Sequence, residues 1–558
     1  MFENMPIGRS VHVRSLFLAS SALTIGVVWL ANNMPVAASA GLTLIFKTLF
    51  SIGDYQAADC ALLILLVAAC APLRLSVRPF LGWLGLHPVS IAVATTAFLC
   101  IGSWLVYQNS RLSMDEYAQF FQSQIFAAGH LSGQFPVPLI DWLIPKGFQN
   151  FFLYPSKLTG AVSSAYWPSY ALLLTPFTWL GIPWCCNPIL SGLTVWFVHR
   201  LAMRIFNNLE SAGLAVFFTI ASPVFFADGV SYYSMSAHLL ANTVFALLLV
   251  EPTPRRACAA GFVGSVALTL HNPIPHMLFA APWLISLLRQ PGNLRTSLLV
   301  FVGYLPICLL FGFGWFFHIS HLAHDGVKIA EGANAFEDSL SQLVAIVSLP
   351  SSSVLLARLI GIAQIWVWSV PGLALLACWG GWKWRHNRYC VLLSASGLLT
   401  LAMYTLVPFD QGHGWGNRYF HSAWLVLPLL ATAAFTSKSK DESPTTSTMA
   451  DAQCFVIVCA LLTLVVGIGL RAYQMRTFIA EHERQVPRYQ GVARRVEILD
   501  LKSSFYGGDL IQNDPWLRGN VIRMITHGAV ADAQMMHDNF PDMHPVFHDR
   551  YGSIWSEK

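Results

Sequence analysis

An all-helical, multi-pass membrane fold of about thirteen spans, ending in a small α/β domain, is the architecture this sequence predicts. Two observations carry it. Of 558 residues, 55% are hydrophobic and only 11% charged, against about 25% charged in a soluble domain. The apolar residues also fall into separate runs of the length that a bilayer core about 30 Å thick requires.

Those runs are 15–31, 57–73, 88–107, 188–201, 212–226, 237–250, 257–270, 276–288, 297–317, 362–382, 389–408, 422–435 and 454–470. The first leads into Asn32-Asn33-Met34-Pro35 and not into a cleavage site, so it reads as a span and not as a removed signal peptide. The stretch 36–50 contains Lys47 between Asn33 and Asp54 and is expected to lie in the outer interface as a helix that does not cross.

Arginine and lysine test the count. With the N-terminus inside, Arg9 and Arg14, Arg74 and Arg78, Arg200 and Arg204, Arg255 and Arg256, Arg289 and Arg295, Lys383, Arg385 and Arg388, and Lys438 and Lys440 all fall in inner loops. That is the side on which positive charge is retained. The formal net charge of +5 is therefore a membrane-orientation signal, and no nucleic-acid partner is expected.

The same count places 108–187, 318–361, 410–421 and the tail from 471 on the outer side, dividing the chain into a membrane domain, 1–471, and an outer C-terminal domain, 472–558. Phe505, Tyr506, Trp516, Phe540, Phe547, Tyr551 and Trp555 give the tail a core-forming composition. The inner loop 436–453 is polar and without apolar period, a linker. The eleven cysteines sit in or beside apolar runs without metal or redox spacing and read as packing residues.

Just beyond the third run comes Met114-Asp115-Glu116-Tyr117, then an amphipathic stretch to Gly129. A carboxylate held against a hydroxyl can take its proton, and a like-charged neighbour or burial tunes its pKa. Either Asp115 or Glu116 suits that role. The plainer reading is an acidic first turn capped by Ser113.

Asp115-Glu116-Tyr117 with Ala127-Ala128-Gly129 resembles the start of the first outer loop of the GT-C superfamily of integral-membrane glycosyltransferases, the group of the protein mannosyltransferases and the lipid A aminoarabinose transferase. In the same order, Tyr166-Trp167-Pro168-Ser169-Tyr170 before Leu172–Phe177 is similar to that family's Tyr-Pro-Pro-Gly run. Arg200–Phe206 resembles the basic end of its second helix, and Gly416-Asn417-Arg418-Tyr419 its Gly-x-Arg-Tyr motif. The resemblance spans about residues 88–436. Pro168-Ser169 departs from Pro-Pro-Gly, two extra spans precede the first carboxylate loop, and 210–400 has no sharp match, which leaves subfamily and acceptor open.

The resemblance implies that Asp115 is the general base, that Glu116 supports it or binds a metal, and that a polyprenyl-phosphate-linked sugar is the donor. The acceptor is a glycan, lipid or protein on the periplasmic face of a bacterial inner membrane, with the C-terminus periplasmic. No cytoplasmic segment has a nucleotide-phosphate motif, which argues against a nucleotide-sugar donor. Arg418, Lys146 and Lys157 are outward candidates for the leaving phosphate, the lysines also fitting interfacial snorkelling. Tyr166, Asp228, His271, His276 and Tyr419 are candidates for lining the substrate cavity.

His318, His321, His324 and Asp325 form a run whose spacing places imidazoles on one helix arc, a weak candidate for a metal site, since an interfacial helix needs none. A divalent Mg or Mn ion is compatible with the transfer reading but not required by the residues. Rival readings are a flippase or transporter of lipid-linked sugars, a ligase or polymerase with a diphosphate-linked donor, and a non-catalytic assembly subunit. The absence of a clear internal repeat weighs against the transporter.

Overall fold

The computed structural model describes residues 11–33, 42–71, 76–290, 292–323, 351–407, 410–437, 447–488, 491 and 493–557. Among them the chain is a helical bundle with two small sheets at one end. Six helices are long and apolar enough to cross a bilayer: Val11–Asn33, Leu44–Cys70, Pro88–Leu105, Pro183–Phe206, Leu294–Leu322 and Met449–Glu483. Five more apolar helices are shorter, among them Met235–Val250, Ile274–Leu288 and Arg388–Tyr404. The chain is a multi-pass membrane protein; among the described residues six helices, or seven with the bent pair as one span, have the length and composition to cross, against the thirteen spans expected.

Four departures have local causes. Residues 44–50, expected in the interface, are instead the start of the continuous helix Leu44–Cys70, its first turn capped by Thr43, whose hydroxyl accepts from the Phe46 amide at 3.4 Å; residues 34–41 lie outside the described residues. The run 362–382 is two helices, Ser352–Val367 and Leu373–Lys383, separated at Pro371-Gly372, where Gly372 takes φ +87°. The first of them begins inside the expected outer loop 318–361. The run 212–226 bends by 62° between Leu209–Ile220 and Pro223–Val230, at a proline that cannot continue the hydrogen-bond ladder. The last span continues past 471 to Glu483 as a helical arm.

Close helix packing uses glycine. Pro254–Leu268 meets Leu294–Ile307 through Gly261 and Gly303, where an added Cβ would strike the Val300 and Cys258 carbonyls. Small residues let backbones approach where lipid offers no hydrophobic drive to associate.

At one end, ion pairs and hydrogen bonds join successive basic loops: Arg204 and Arg256 both meet Glu251, Arg388 Nε donates to Ser286 Oγ at 3.3 Å, and Lys383 Nζ donates to the Ala434 and Thr436 carbonyls. At the opposite end sit both sheets. The long loop 108–187 forms a three-stranded antiparallel sheet, Gly133–Gln134, Ala161–Ser164 and Leu153–Pro155 in spatial order. The C-terminal sheet has the spatial order Val521–Ile525, Arg495–Leu499, Gly552–Ser556, His544–Asp549, its first pair parallel and the others antiparallel. Helix Ala529–Asn539 completes this α/β unit. Its Val496, Ile498, Met524 and Met536 share one buried core with Met114, Tyr117, Phe121 and Phe135 of the long loop.

Where the N-terminal helices meet the helical arm, Asp54 and Arg471 form a buried ion pair at 2.8 Å, each side chain 2% exposed. A widened turn at Leu49–Asp54 brings Asp54 to that face. Trp368 Nε1 donates to Asp54 at 2.6 Å and Gln364 Nε2 at 3.2 Å, and the guanidinium lies 3.8 Å from the Trp368 ring. Removing one member of such a pair strands the other charge. Asp54→Ala is expected to destabilise the protein by about 3–5 kcal/mol, and the double change Asp54→Leu with Arg471→Met to recover most of that loss. Thermal unfolding in detergent reads both.

Candidate active site

The helix Met114–Ala127 starts from Ser113 in an extended conformation, with both acidic residues in its first turn. Ser113 does not cap it; its hydroxyl pairs with Tyr233 Oη at 2.9 Å. The C-terminal domain supplies the cap: Asp509 Oδ1 accepts from the Met114 amide at 3.0 Å. The other Asp509 oxygen lies 2.9 Å from His413 Nε2, so one carboxylate ties the helix start to the loop 410–417.

Successive helical residues point about 100° apart, and the two acids meet different surroundings. Glu116 is fully buried; its Oε1 accepts from Tyr107 Oη at 2.8 Å and the Tyr232 amide at 2.7 Å, and its Oε2 from the Leu112 amide at 2.8 Å. Burial pushes the Glu116 carboxyl up to about 7 against these donors. Asp115 keeps one-fifth of its side chain exposed, with Arg418 Nη1 at 2.7 Å on Oδ2 and the Tyr166 hydroxyl donating to Oδ1. Burial pushes this carboxyl up too, but Arg418, His271 and the Tyr166 hydrogen bond outweigh it and hold it below the usual aspartate value.

Arg418 is aimed by its own loop. Gln411 Oε1 accepts from the Arg418 amide at 2.9 Å, and the Gln411 carbonyl accepts from Nη2. Asp410 anchors the loop to the start of the helix Leu44–Cys70 by accepting from Thr43 Oγ1 at 2.9 Å. Gly414 has φ +132°, and a Cβ there would overlap the Arg418 side chain. The guanidinium also lies 4.7 Å from the centre of the Tyr233 ring. His271 packs its ring 4.2 Å from that of Tyr166, and burial, only partly offset by Asp115, lowers it to about 4, so it is neutral at pH 7.

Asp115, Tyr166, His271 and Arg418 are thus brought together. Tyr419 turns away, stacking on Tyr404 at 4.5 Å and lining a neighbouring cavity of ≈ 260 Å³ with Arg358 and Asn417. Asp228 is buried 2.8 Å from His421, and His276 sits between Asn242 Oδ1 and Tyr304 Oη, both at 2.7 Å. These two are bound into the bundle, with neither in contact with Asp115 or Arg418. Lys157 pairs on the surface with Asp141 at 3.2 Å and Lys146 is exposed, so neither is drawn to Arg418.

His318 Nε2 lies 3.1 Å from Ser163 Oγ and His321 is exposed, while His324 and Asp325 lie outside the described residues. Among the described residues no cluster of three or more His, Cys, Asp or Glu could hold a metal. The oxygens of Asp115 and Glu116 are taken up by the partners above, so as placed they do not form a metal-binding pair. The residues that sequence reasoning missed are Gln411, His413 and Asp509. The first two stand in the polar, glycine-rich run Asp410–Asn417, a readable signal; Asp509 has none of its own.

The arrangement is that of a multi-pass membrane protein with a carboxylate–guanidinium site at the bundle end that carries both sheets. No family model matches the chain, and no curated protein matches it. Among solved structures, it is similar to ArnT from Cupriavidus metallidurans in the apo state, with a TM-score of 0.49, and to the same protein bound to undecaprenyl phosphate, with a TM-score of 0.47. Identity is 11% in both, over 83% of this chain and 97% of that one.

Glu116 gives a signed pH prediction. Its folded pKa of about 7 exceeds its ordinary value of 4.5, so the folded state binds the proton more tightly, and this contribution to stability falls as pH rises between those values. Glu116→Ala leaves the Leu112 and Tyr232 amides unpaired, costing about 1–3 kcal/mol. Melting temperatures of wild type and Glu116→Ala across pH 4.5–8 are expected to show a wild-type advantage that narrows up to about pH 7 and is flat above.

Proposed function

We propose that this protein transfers a sugar, with inversion, from a polyprenyl-phosphate-linked donor to a glycan, lipid or protein acceptor on the periplasmic face of a bacterial inner membrane. The observation that supports it best is the 2.7 Å meeting of Asp115 and Arg418. Two motifs read separately for a base and for a phosphate ligand supply the two halves of one site.

In this reading the acceptor hydroxyl gives its proton to Asp115 as its oxygen bonds to the anomeric carbon. The bond from that carbon to the phosphate oxygen breaks on the opposite face, and Arg418 neutralises the departing lipid phosphate through its planar fork. An Asp115 held by Arg418 is a poor base, because the guanidinium stabilises its charged form. Donor phosphate that draws Arg418 away removes the leading charge that lowers the Asp115 pKa and leaves burial, which raises it. Base and donor binding are thereby coupled. Glu116 holds the helix start and stays out of the proton transfer, and no step is routed through a metal.

The test uses purified protein, defined polyprenyl-phosphate sugars and a panel of glycan, lipid and protein acceptors. Asp115→Asn is expected to lower turnover about 10²–10⁴-fold while donor binding tightens, since Arg418 is released to the phosphate, and Arg418→Ala to lower turnover and weaken donor binding. Equal transfer by wild type and Asp115→Asn rejects the assigned role of Asp115.

A further inference from the structure

Behind the glycine loop lies a second cavity, of ≈ 460 Å³ and open on one side. That volume is within the roughly 300–1,000 Å³ of small-ligand sites. Its walls come chiefly from the helix Leu44–Cys70, the arm Met449–Glu483 and the tail, all outside the residues 88–436 that carry the motif resemblance. We infer that this cavity binds a neutral polyhydroxyl ligand, a sugar unit of the acceptor. Naming it the acceptor rests on the transfer reading above; the binding chemistry does not.

Five aromatic side chains, Trp368, Trp415, Tyr473, Phe478 and Phe505, line it. Flat apolar rings pack on the C–H faces of a pyranose, and indole and phenyl groups supply large contact area with little rotamer entropy. Gln56, Gln474, Gln485 and Glu481 share the wall; Gln474 is hydrogen-bonded to Arg471, Gly53 and Gln56, and Gln485 to Glu481 and Phe505, which among the described residues leaves the Gln56 N–H groups and the Glu481 carboxylate to meet a ligand. Amides both donate and accept, and carboxylates accept, which is the complement of a ring of hydroxyls.

The electrostatics disfavour an anion. The lining cation Arg471 is already committed to Asp54 at 2.8 Å, to the Gly53 and Val367 carbonyls and to Gln474 Oε1. The pair carries no net charge, and Glu481 adds a negative one to the same wall. A hydroxyl can give its proton to Glu481 and accept one from Gln56, both in the cavity wall, whereas a phosphate diester has no proton to give. An alkyl chain would do neither and would bury amides at a cost.

Position links the cavity to the site. Gly414-Trp415-Gly416 forms one wall, and Gly414 also rests against the Arg418 side chain that reaches Asp115. A sugar seated there is separated from the carboxylate by the thickness of one loop.

The experiment uses full-length protein in detergent. Tryptophan fluorescence is titrated with a panel of neutral oligosaccharides, with inorganic phosphate and with phosphatidylglycerol micelles, in wild type, Gln56→Ala, Phe478→Ala and Asp115→Asn, each checked by its melting curve. The expected result is millimolar or tighter binding of an oligosaccharide, no competition by phosphate, about tenfold weakening in both cavity variants, and full retention in Asp115→Asn despite lost transfer. Saccharide binding unchanged in folded Gln56→Ala and Phe478→Ala overturns the inference while leaving the transfer reading intact, as does failure of the whole panel at millimolar concentration. Preference for the micelles over every free saccharide also overturns it, since the ligand is then a lipid headgroup. If Asp115→Asn transfers normally while the cavity variants lose binding, the transfer reading falls and the sugar site stands.

Discussion

A guanidinium and a carboxylate 303 positions apart in the chain can meet at 2.7 Å only if the two segments that carry them are each held rigidly and aimed at each other. The Asp115–Arg418 pair is the constraint from which the rest of this end of the molecule follows. On one side Glu116 collects the Tyr107 hydroxyl and two main-chain amides and fixes the start of the helix that carries Asp115. On the other, Gln411 and Asp410 fold the loop that carries Arg418, and Gly414 leaves room for its side chain. Asp509 then joins the two halves, one oxygen on the Met114 amide and the other against His413. The C-terminal domain is therefore part of the site's scaffold.

Neighbouring acids with opposite shifts express this division of labour. Burial raises both carboxyls; for Asp115 a cation overrides it, and for Glu116 only neutral donors oppose it. Environments that push two neighbouring carboxyls apart are the pattern by which acid and base roles are divided. The group kept ionised and partly open is Asp115, and the one sealed from solvent is Glu116, which is why chemistry is assigned to the first and support to the second.

The membrane character was legible because hydrocarbon demands long apolar runs, and most runs became helices near their expected bounds. Their interruptions were not. Pro371-Gly372 and Pro223 sit within runs that hydropathy alone counts as continuous, since membrane helices tolerate both residues when neighbours satisfy the freed backbone. At the site, Asp115, Tyr166, His271 and Arg418 stood out through residue type and motif. The partners that decide what Asp228 and His276 do, His421 and the Asn242–Tyr304 pair, come from other helices and leave no mark in local sequence. Asp509 is hidden for the same reason: its role exists only once the tail folds back onto residue 114.

The helices outside the motif-bearing region have a physical purpose within this frame. A buried Asp54–Arg471 pair is expensive to desolvate, and apolar residues would hold the two helices together at least as well. What the pair does is fix the register of Leu44–Cys70 against the long arm, with Trp368 and Gln364 locking its orientation. That register brings Gln56 and Gln474 within 2.9 Å of each other and sets them beside the aromatic wall. A packing contact chosen for stability alone would not need polar specificity at this depth; a wall that must present amides at fixed spacing to a ligand does.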